Sequence, residues 1–257
     1  MKLLPALGAL RSSQARGAPV YALRMATNTV DVQAAQALRF EVFNLELNEG
    51  LAQSYDTGLD ADPFDEVCDH LIVDALASGR VVGTYRLQTG LRAREALGYY
   101  SAREFDFGPF DAMRAKTIEL GRACIDANHR NFTVLNLLWR GIAVYAQQQG
   151  ARYLLGCSSL TSQDEAAGAA AYNRLKPNLA PMTWRTKPLA DFKCSLDVVA
   201  PQTPRIPRLL SAYLALGAAI CGPPAIDREF RTIDFLTWLD LESPTLQALR
   251  KRGRFLA

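Results

Sequence analysis

The sequence predicts an α/β fold, in which one sheet is covered by helices. Three observations carry this prediction. Short runs of strand-forming residues alternate with longer segments whose apolar residues recur every three or four positions. Two strand runs, 71–73 and 81–87, are joined by a short turn, as in a hairpin. With 257 residues, 49% of them apolar, the chain can bury a core without disulfides or metals.

The N-terminal half contains the first strands and one long helix. Residues 1–18 are expected to be a flexible extension before an ordered domain that begins near residue 19. The helix prediction for 30–47 rests on apolar residues at helical spacing, namely Val32, Ala35, Leu38, Val42 and Leu45. The remaining predictions are a strand at 20–26, an acidic loop at 48–69, the hairpin strands, an aromatic-rich excursion at 88–114 and a strand at 117–125.

The C-terminal half contains the clearest helix, at 133–149. Its apolar face consists of Val134, Leu138, Ile142 and Tyr145, and Gly150 ends it. After it we predict a strand at 153–158, a helix at 164–175, a strand at 192–199, a helix at 207–219 and a strand at 233–239. We expect one domain over 19–257, on which residues 200–257 pack as a C-terminal extension.

Cysteine and histidine usage narrows the class of protein. The five cysteines are widely spaced without a CxxC pair, and only two histidines occur. This pattern argues against a disulfide framework, a zinc finger or another metal site. It suits a reducing cytoplasm. No run reaches the ~18–20 apolar residues of a membrane-spanning helix.

Charge is unevenly distributed along the chain. Residues 1–128 carry 13 Lys/Arg and 17 Asp/Glu, a net charge of −4, whereas residues 129–257 carry 16 and 9, a net charge of +7. The second half could face an acidic protein or an anionic membrane. It could equally be a solvated charged surface. No basic and aromatic nucleic-acid motif occurs, so we expect no nucleic-acid partner.

The segment around Glu119 and Arg122 offers the most chemistry. A regular strand would send these side chains to opposite faces, because they lie three residues apart. A bulge near Gly121 could bring both into one cleft and free backbone N–H groups to receive the oxygen of a thioester carbonyl. An ordinary strand with a Glu–Arg ion pair remains the alternative.

Three further sets of residues are candidates for binding. Arg39 and Phe43 share one helix face, although a surface arginine beside a core phenylalanine would give the same pattern. Arg86 stands in a strand, where such a side chain is usually structural. Four carboxylates within eight residues could hold a cationic substrate or form a solvated loop; they are Asp62, Asp65, Glu66 and Asp69.

Together these residues resemble a known family of acyltransferases. Their order and spacing is similar to that of the acyl-homoserine-lactone synthases. The wider sequence over residues 35–240 resembles the L-ornithine N-alpha-acyltransferases, which make lyso-ornithine lipid. The motifs that carry this resemblance are Phe64-Asp65-x-x-Cys68-Asp69-His70-Leu71, Val82-Gly83-Thr84-Tyr85-Arg86-Leu87, Glu119-Leu120-Gly121-Arg122, Leu138-Trp139-Arg140-Gly141-Ile142-Ala143, Leu155-Gly156-Cys157-Ser158-Ser159 and Pro224-Ala225-x-Asp227-x-x-Phe230-x-Thr232-x-Asp234.

The resemblance implies a GNAT-like fold, with a mixed, mostly antiparallel sheet between helices and a C-terminal helix and strand extension. It implies transfer of a 3-hydroxyacyl group from acyl carrier protein to the alpha-amine of ornithine. Glu119 and Arg122 would be catalytic, with Glu119 the general base. The acceptor would bind at Arg39, Phe43, Asp62, Asp65, Asp69 and Arg86. Asp62 and Asp65 could instead pair with Arg39 or Arg86 and order the loop.

The donor is expected to arrive on the phosphopantetheine arm of acyl carrier protein, with no other cofactor. The glycine-rich turn that cradles the pyrophosphate of coenzyme A is absent, since residues 128–133 read Asn-His-Arg-Asn-Phe-Thr. His129 and Arg130 would meet the single phosphate of the arm. We expect a cytoplasmic protein with a possible peripheral contact to the inner membrane.

Three alternatives remain open at this point. One is an N-acyl amino acid synthase with glycine or tyrosine as acceptor. Another is an acyl-homoserine-lactone synthase, against which the absence of tryptophan between Asn44 and Gly50 counts. The last belongs to a different class, a non-catalytic protein that binds acyl carrier protein or a membrane.

Overall fold

Strands and helices alternate along the chain in the computed structural model, which describes residues 10–11, 20–198 and 204–251. The strands are β1 Leu10–Arg11, β2 Tyr21–Met25, β3 Asp69–Ala75, β4 Arg80–Thr89, β5 Thr117–Ile125, β6 Tyr153–Leu160, β7 Ala219–Ile220, β8 Ala225–Asp227 and β9 Thr232–Asp240. The helices are α1 Thr29–Arg39, α2 Ser54–Thr57, α3 Gly90–Glu95, α4 Phe132–Gln148, α5 Glu165–Leu175, α6 Arg208–Ala215 and α7 Pro244–Lys251. The predicted α/β class is confirmed.

The described residues divide into two compact units. Unit 1 contains the residues before 88 together with 121–149, and unit 2 contains 88–120 together with 150–251. The expectation of one domain with a packed C-terminal extension stays a prediction. Of the expected flexible extension, residues 10–11 form β1, whereas 1–9 and 12–18 lie outside the described residues.

Unit 1 is built on an antiparallel meander. β2 pairs with β1 on one side and with β3 on the other, and β3 and β4 form the predicted hairpin. Helix α4 packs on this sheet through the predicted apolar face, whose four residues are all buried. Gly141 allows the close approach, because a Cβ atom there would lie 2.7 Å from the side chains of Leu23 and Leu71.

The predicted helix over 30–47 changes character halfway. α1 runs from Thr29 to Arg39, with Asn28 capping its N-terminus, and the chain then continues as a π-helix over Phe40–Glu46. The wider π turn shifts the helical phase. Val42 and Phe43 are therefore buried, but Leu45 is 61% exposed, which corrects its assignment to the apolar face.

Unit 2 is organised around β9. This strand pairs antiparallel with β6 over eight residue pairs and also with β7 and β8. The start of β5 pairs in parallel with β6, from Thr117 opposite Tyr153 to Glu119 opposite Leu155. This strand pairing is parallel and the other strand pairings described above are antiparallel, so the mixed, mostly antiparallel character is confirmed.

Two predicted elements of unit 2 differ from the structure. The strand predicted at 192–199 is wrong for the described residues 192–198, because Cys194 is buried against Gly168 without joining a regular strand; residue 199 lies outside the described residues. The helix predicted at 207–219 ends at Ala215, since Gly217 is left-handed with φ +92°. Patterning missed the short strands β7 and β8 and the last helix, α7.

Replacing Gly156 with alanine should destabilise unit 2. A Cβ atom at Gly156 would overlap the carbonyl oxygen of Leu120, which is backbone and cannot rotate away. We expect Gly156→Ala to lower the free energy of unfolding by ~1–3 kcal/mol, as other overpacked sites do. Urea denaturation would measure the change. Gly121→Ala is the control, since a Cβ atom at Gly121 meets no described atom within 4 Å; equal stability of the two variants would contradict the expectation.

Candidate active site

Six charged side chains of unit 1 form a buried network with equal numbers of positive and negative groups. Each of these side chains is at most 7% exposed. The arginines and aspartates alternate in their contacts, so that each charge faces at least one opposite charge. The members of this Arg–Asp network are Arg39, Arg86, Arg122, Asp60, Asp62 and Asp65.

Arg39 and Asp65 form the closest pair of the network. The guanidinium binds the carboxylate through two contacts, Nη1 to Oδ1 at 3.0 Å and Nη2 to Oδ2 at 2.5 Å. Arg39 Nη2 also donates to the carbonyl oxygen of Asp60. Gln36 Nε2 adds a hydrogen bond to Asp65 Oδ2 at 2.8 Å. The expected alternative of a surface arginine on this helix is therefore wrong, because Arg39 is fully buried.

Asp62 links the two other arginines. Arg86 Nη1 lies 2.6 Å from Asp62 Oδ1 and 2.9 Å from Asp65 Oδ1. Arg122 Nη2 lies 3.1 Å from Asp62 Oδ2, and its Nε lies 3.3 Å from Asp60 Oδ2. The structure thus brings together four predicted site residues of the binding set, and it supports the alternative that the aspartates pair with arginines and order the loop.

Local sequence places the aspartates. Asp62 caps the short 3₁₀ turn Pro63–Glu66 by accepting from Phe64 N at 2.8 Å, and Asp65 Oδ2 receives the backbone N–H of Asp62 in return. This reciprocal capping box, with proline at the first position of the turn, fixes both carboxylates toward the arginines.

The arginines keep the aspartates ionised. Burial alone would raise the pKa of Asp65, but the charge of Arg39 and its hydrogen bonds hold that pKa well below its usual range. The pKa of Asp62 is lowered in the same way, against burial, by the charges of Arg86 and Arg122. Burial lowers the pKa of His70, whose Nε2 lies 3.1 Å from the carbonyl oxygen of Asp65. A neutral His70 leaves the charges of the network balanced.

Arg122 breaks the regular backbone of β5. Its φ is +48°, in the left-handed region that non-glycine residues seldom adopt. The irregularity expected near Gly121 and Arg122 is therefore present, and the left-handed residue is the arginine rather than the glycine. Its ion pairs with Asp60 and Asp62 hold the guanidinium of this strained residue in place.

Glu119 belongs to unit 2, where it anchors a loop. Its Oε2 accepts from the backbone N–H of Tyr100 at 2.7 Å. Its Oε1 accepts from the backbone N–H of Ser101 at 2.8 Å and from the Ser101 hydroxyl at 2.7 Å. The carboxylate is buried and held in one orientation, and it is joined directly to the segment that follows Tyr99. Its catalytic role stays a prediction.

The other predicted site residues have partners within unit 1. Phe43 is buried in the π-helical segment, and the Tyr145 hydroxyl donates to Asp69 Oδ2 at 2.6 Å. His129 Nδ1 lies 3.0 Å from the Tyr21 hydroxyl. Arg130 binds Glu46 through two contacts, of 2.6 and 2.8 Å. Their roles in binding acceptor or donor stay predictions.

The cysteines show no sign of a nucleophile. All five carry free thiols. Burial raises the pKa of the Cys124 thiol, and burial together with Glu104 raises that of Cys157. Both are therefore neutral thiols at physiological pH, in agreement with the interpretation of these residues as core thiols.

Sequence reasoning missed several residues that position this machinery. Asp60 stands two positions before Asp62 in the same acidic loop, so the loop itself was the signal. Gln36 lies three residues before Arg39 and therefore on the same helix face, which is a usable but weak signal. Nothing in the sequence connects Tyr100 and Ser101 with Glu119, because that contact spans 18 residues and depends on the loop between β4 and β5.

Comparison with known proteins identifies the family. Residues 38–140 match the model of the acetyltransferase (GNAT) domain. The chain is 33% identical over 241 residues to an L-ornithine N(alpha)-acyltransferase of Brucella abortus (strain 2308), covering 86% of this chain and 84% of that protein. The chain belongs to this family. A member from Rhodobacter capsulatus is 32% identical over 237 residues, and the aligned region covers 87% of this chain and 91% of that protein. The expected resemblance is confirmed, and the family member described here is an acyltransferase.

Solved structures agree on the fold. The chain of FeeM, an N-acyl amino acid synthase from uncultured soil microbes, matches with a TM-score of 0.55 at 11% identity, over 90% of this chain and 96% of that one. The AHL synthase LasI matches with a TM-score of 0.52 at 12% identity, over 92% and 97%. At such identities these structures show the fold, and the predicted GNAT-like fold is confirmed. No helix within the described ranges is long and apolar enough to cross a membrane.

Removing one charge from the network should cost much more stability than removing an exposed charge. Asp65→Asn leaves the buried Arg39 without its bidentate partner, so we expect a loss of ~3–5 kcal/mol in the free energy of unfolding. The matched control is Glu41→Gln, because Glu41 pairs with Arg80 at 3.3 Å in a largely exposed position. Losing this exposed pair should lower the free energy of unfolding by only ~0–1 kcal/mol. Urea denaturation at neutral pH measures both.

The same substitution should alter acid denaturation. Because the pKa of Asp65 is lower in the folded chain than its unfolded value of 3.8, its ionised form adds stability above pH 3.8 that is lost as the pH falls further. The Asn variant should lack this contribution. Similar losses for Asp65→Asn and Glu41→Gln would show that the network is not a main support of unit 1.

Proposed function

We propose that this acyltransferase moves a 3-hydroxyacyl group from acyl carrier protein to the alpha-amine of L-ornithine, which gives lyso-ornithine lipid. The observation that carries the proposal is the similarity to curated L-ornithine N(alpha)-acyltransferases, at 30–33% identity over 85–87% of this chain. The fixed carboxylate of Glu119 and the interrupted strand at Arg122 supply chemistry that the reaction needs.

The reaction requires a neutral amine. In the proposed mechanism Glu119 takes a proton from the alpha-ammonium, directly or through a water. The amine nitrogen then forms a bond to the thioester carbonyl carbon, and the carbon–sulfur bond breaks. The thiolate of the phosphopantetheine arm leaves and takes up the second amine proton. Such general-base assistance contributes ~10²–10⁴-fold to the rate.

The irregular backbone of β5 at Arg122 is our candidate for stabilising the transition state. The carbonyl oxygen of the thioester gains negative charge as the amine attacks. The left-handed conformation of Arg122 interrupts regular strand geometry at this point. We assign the developing charge to a backbone N–H beside this irregular residue, and Arg122 serves by keeping the strained backbone in place through Asp60 and Asp62.

The segment before α4 favours a carrier protein over coenzyme A as donor. Its side chains already bind two of the backbone N–H groups: Asp126 accepts from Asn128 N, and Asn131 caps α4 by accepting from Val134 N. The segment contains no glycine to let a pyrophosphate approach. The net charge of +7 over residues 129–257 suits an acidic carrier protein and contact with the cytoplasmic face of an anionic membrane.

The proposal predicts a product that mass spectrometry can identify. Purified protein with 3-hydroxyacyl-carrier protein and L-ornithine should form N-alpha-acylornithine. Glu119→Gln should lower kcat by at least roughly tenfold. Ser101→Ala is the matched variant: it removes the hydroxyl donor to Glu119 but keeps the carboxylate, so kcat should stay within about threefold of wild type.

These variants separate a base from an anchor. Equal losses of kcat in Glu119→Gln and Ser101→Ala, with lowered melting temperatures in both, would reduce Glu119 to an anchor of the Tyr100–Ser101 segment. Wild-type turnover in a folded Glu119→Gln variant would remove Glu119 from the mechanism. Absence of N-alpha-acylornithine with wild-type protein would refute the proposed acceptor.

A second test concerns the donor. Activity with acyl carrier protein should fall as salt rises from low to high concentration, because exposed charge pairs mainly guide encounter and salt screens them. Acyl-coenzyme A should be the poorer donor at every salt concentration. Equal kcat/KM for the two donors, independent of salt, would contradict the proposed role of the carrier protein.

A further inference from the structure

A cavity in unit 2 lies next to the loop that Glu119 anchors. Its volume is about 240 Å³, below the ~300–1,000 Å³ of pockets for drug-sized ligands, which suits a single amino acid. Tyr100, whose backbone N–H binds Glu119, forms part of its wall. The lining residues are Tyr100, Arg103, Glu104, Asp191, Phe192, Ile226, Asp227, Arg228 and Glu229.

The floor and the rim of this cavity differ in charge. The buried residues of the lining are Glu104, Ile226 and Asp227. The exposed residues of both signs form the rim, namely Arg103, Asp191, Arg228 and Glu229. The lining as a whole has four carboxylates and two guanidiniums, and both arginines belong to its exposed rim.

The carboxylate of Asp227 has one oxygen, Oδ2, that can bind a ligand. It is 6% exposed, and its Oδ1 accepts the backbone N–H groups of Glu229 at 2.9 Å and Phe230 at 2.8 Å. Its Oδ2 has no hydrogen-bond donor or ion-pair partner among the described residues. A buried carboxylate of this kind gains strongly from a cationic partner. In the Arg–Asp network of unit 1, by contrast, the aspartates already have arginines.

Further negative charge stands behind the floor. Asp234 on β9, Glu104 and the Cys157 thiol place their ligand atoms within 4.8 Å of one another. Burial raises the pKa of Asp234 to about 6, and the charge of Asp227 acts in the same direction. A cation in the cavity would oppose both effects. Burial raises the pKa of the Cys157 thiol, so the negative charge of this cluster resides on its two carboxylates.

We infer that this cavity binds the side-chain ammonium of a dibasic amino acid on Asp227, with Glu104 beside it and Asp234 behind. The inference rests on the proposed function, and it places the acceptor-binding site in unit 2. The ammonium lies on the floor, three methylenes from the alpha-carbon. The alpha-carboxylate then reaches the guanidiniums of the rim, Arg103 or Arg228, and the alpha-amine lies toward the loop held by Glu119.

Asp227→Asn is the sharpest test of this site. The Asn carbonyl oxygen can still accept from Glu229 N and Phe230 N, whereas the charge on the other atom is lost. The acceptors compared are ornithine and norvaline, which has the same carbon chain without the ammonium. Wild-type protein should prefer ornithine by at least tenfold in kcat/KM, and Asp227→Asn should reduce this preference to below about threefold with the donor KM unchanged. Asp111→Asn, an exposed aspartate of unit 2, is the control.

The outcomes separate the inference from the proposed function. If wild type makes N-alpha-acylornithine and Asp227→Asn still prefers ornithine tenfold over norvaline, the cavity does not bind the ammonium and the inference is overturned while the function stands. If wild type makes no acylornithine, both fall. A lower melting temperature of Asp227→Asn with donor and acceptor KM raised alike would also overturn the inference. Loss of ornithine preference on EDTA treatment would assign the cavity to a metal instead.

Discussion

Burial of charge is the constraint on which the structure of unit 1 depends. A guanidinium taken out of water is tolerated only when a carboxylate or another acceptor meets it with good geometry. The Arg–Asp network meets this condition with three charges of each sign, supplied by α1, the capped loop at 60–65, β4 and β5. These segments are far apart in sequence, so the network fixes their relative positions more specifically than apolar contacts would.

Unit 2 uses carboxylates in a different way. Glu119 accepts hydrogen bonds from two backbone N–H groups and a hydroxyl, which fix its orientation. Asp227 is held by backbone N–H groups on one oxygen only. Neutral donors orient a carboxylate but leave its charge uncancelled. Asp227 can therefore respond to an ammonium, which is the form in which an amino acid arrives.

The sequence predicts the regular elements better than the connections between them. The strand at 117–125 and the helix at 133–149 agree with the structure almost residue for residue, and the apolar face of the helix is buried as its spacing predicts. The buried state of Arg39 could not be read from helical spacing, since an exposed arginine has the same period. The cavity of unit 2 is assembled from three segments of the chain that are separated by about 35 to 90 residues, and local patterns carry no information on such contacts. In the sequence, Asp227 and Asp234 appear only as positions of a family motif, without an indication that they lie at a cavity.

The π-helical segment at Phe40–Glu46 has a consequence for comparing this chain with others. A π turn accommodates one residue more than an α turn over the same rise. Relatives that continue α1 as an α-helix would therefore be one residue shorter here, and an alignment guided by structure would place a single-residue gap within 40–46. Such a gap keeps Arg39, which precedes the segment, aligned with the matching residue of the relative. A gap placed in the loop after residue 47 would instead misalign Val42 and Phe43.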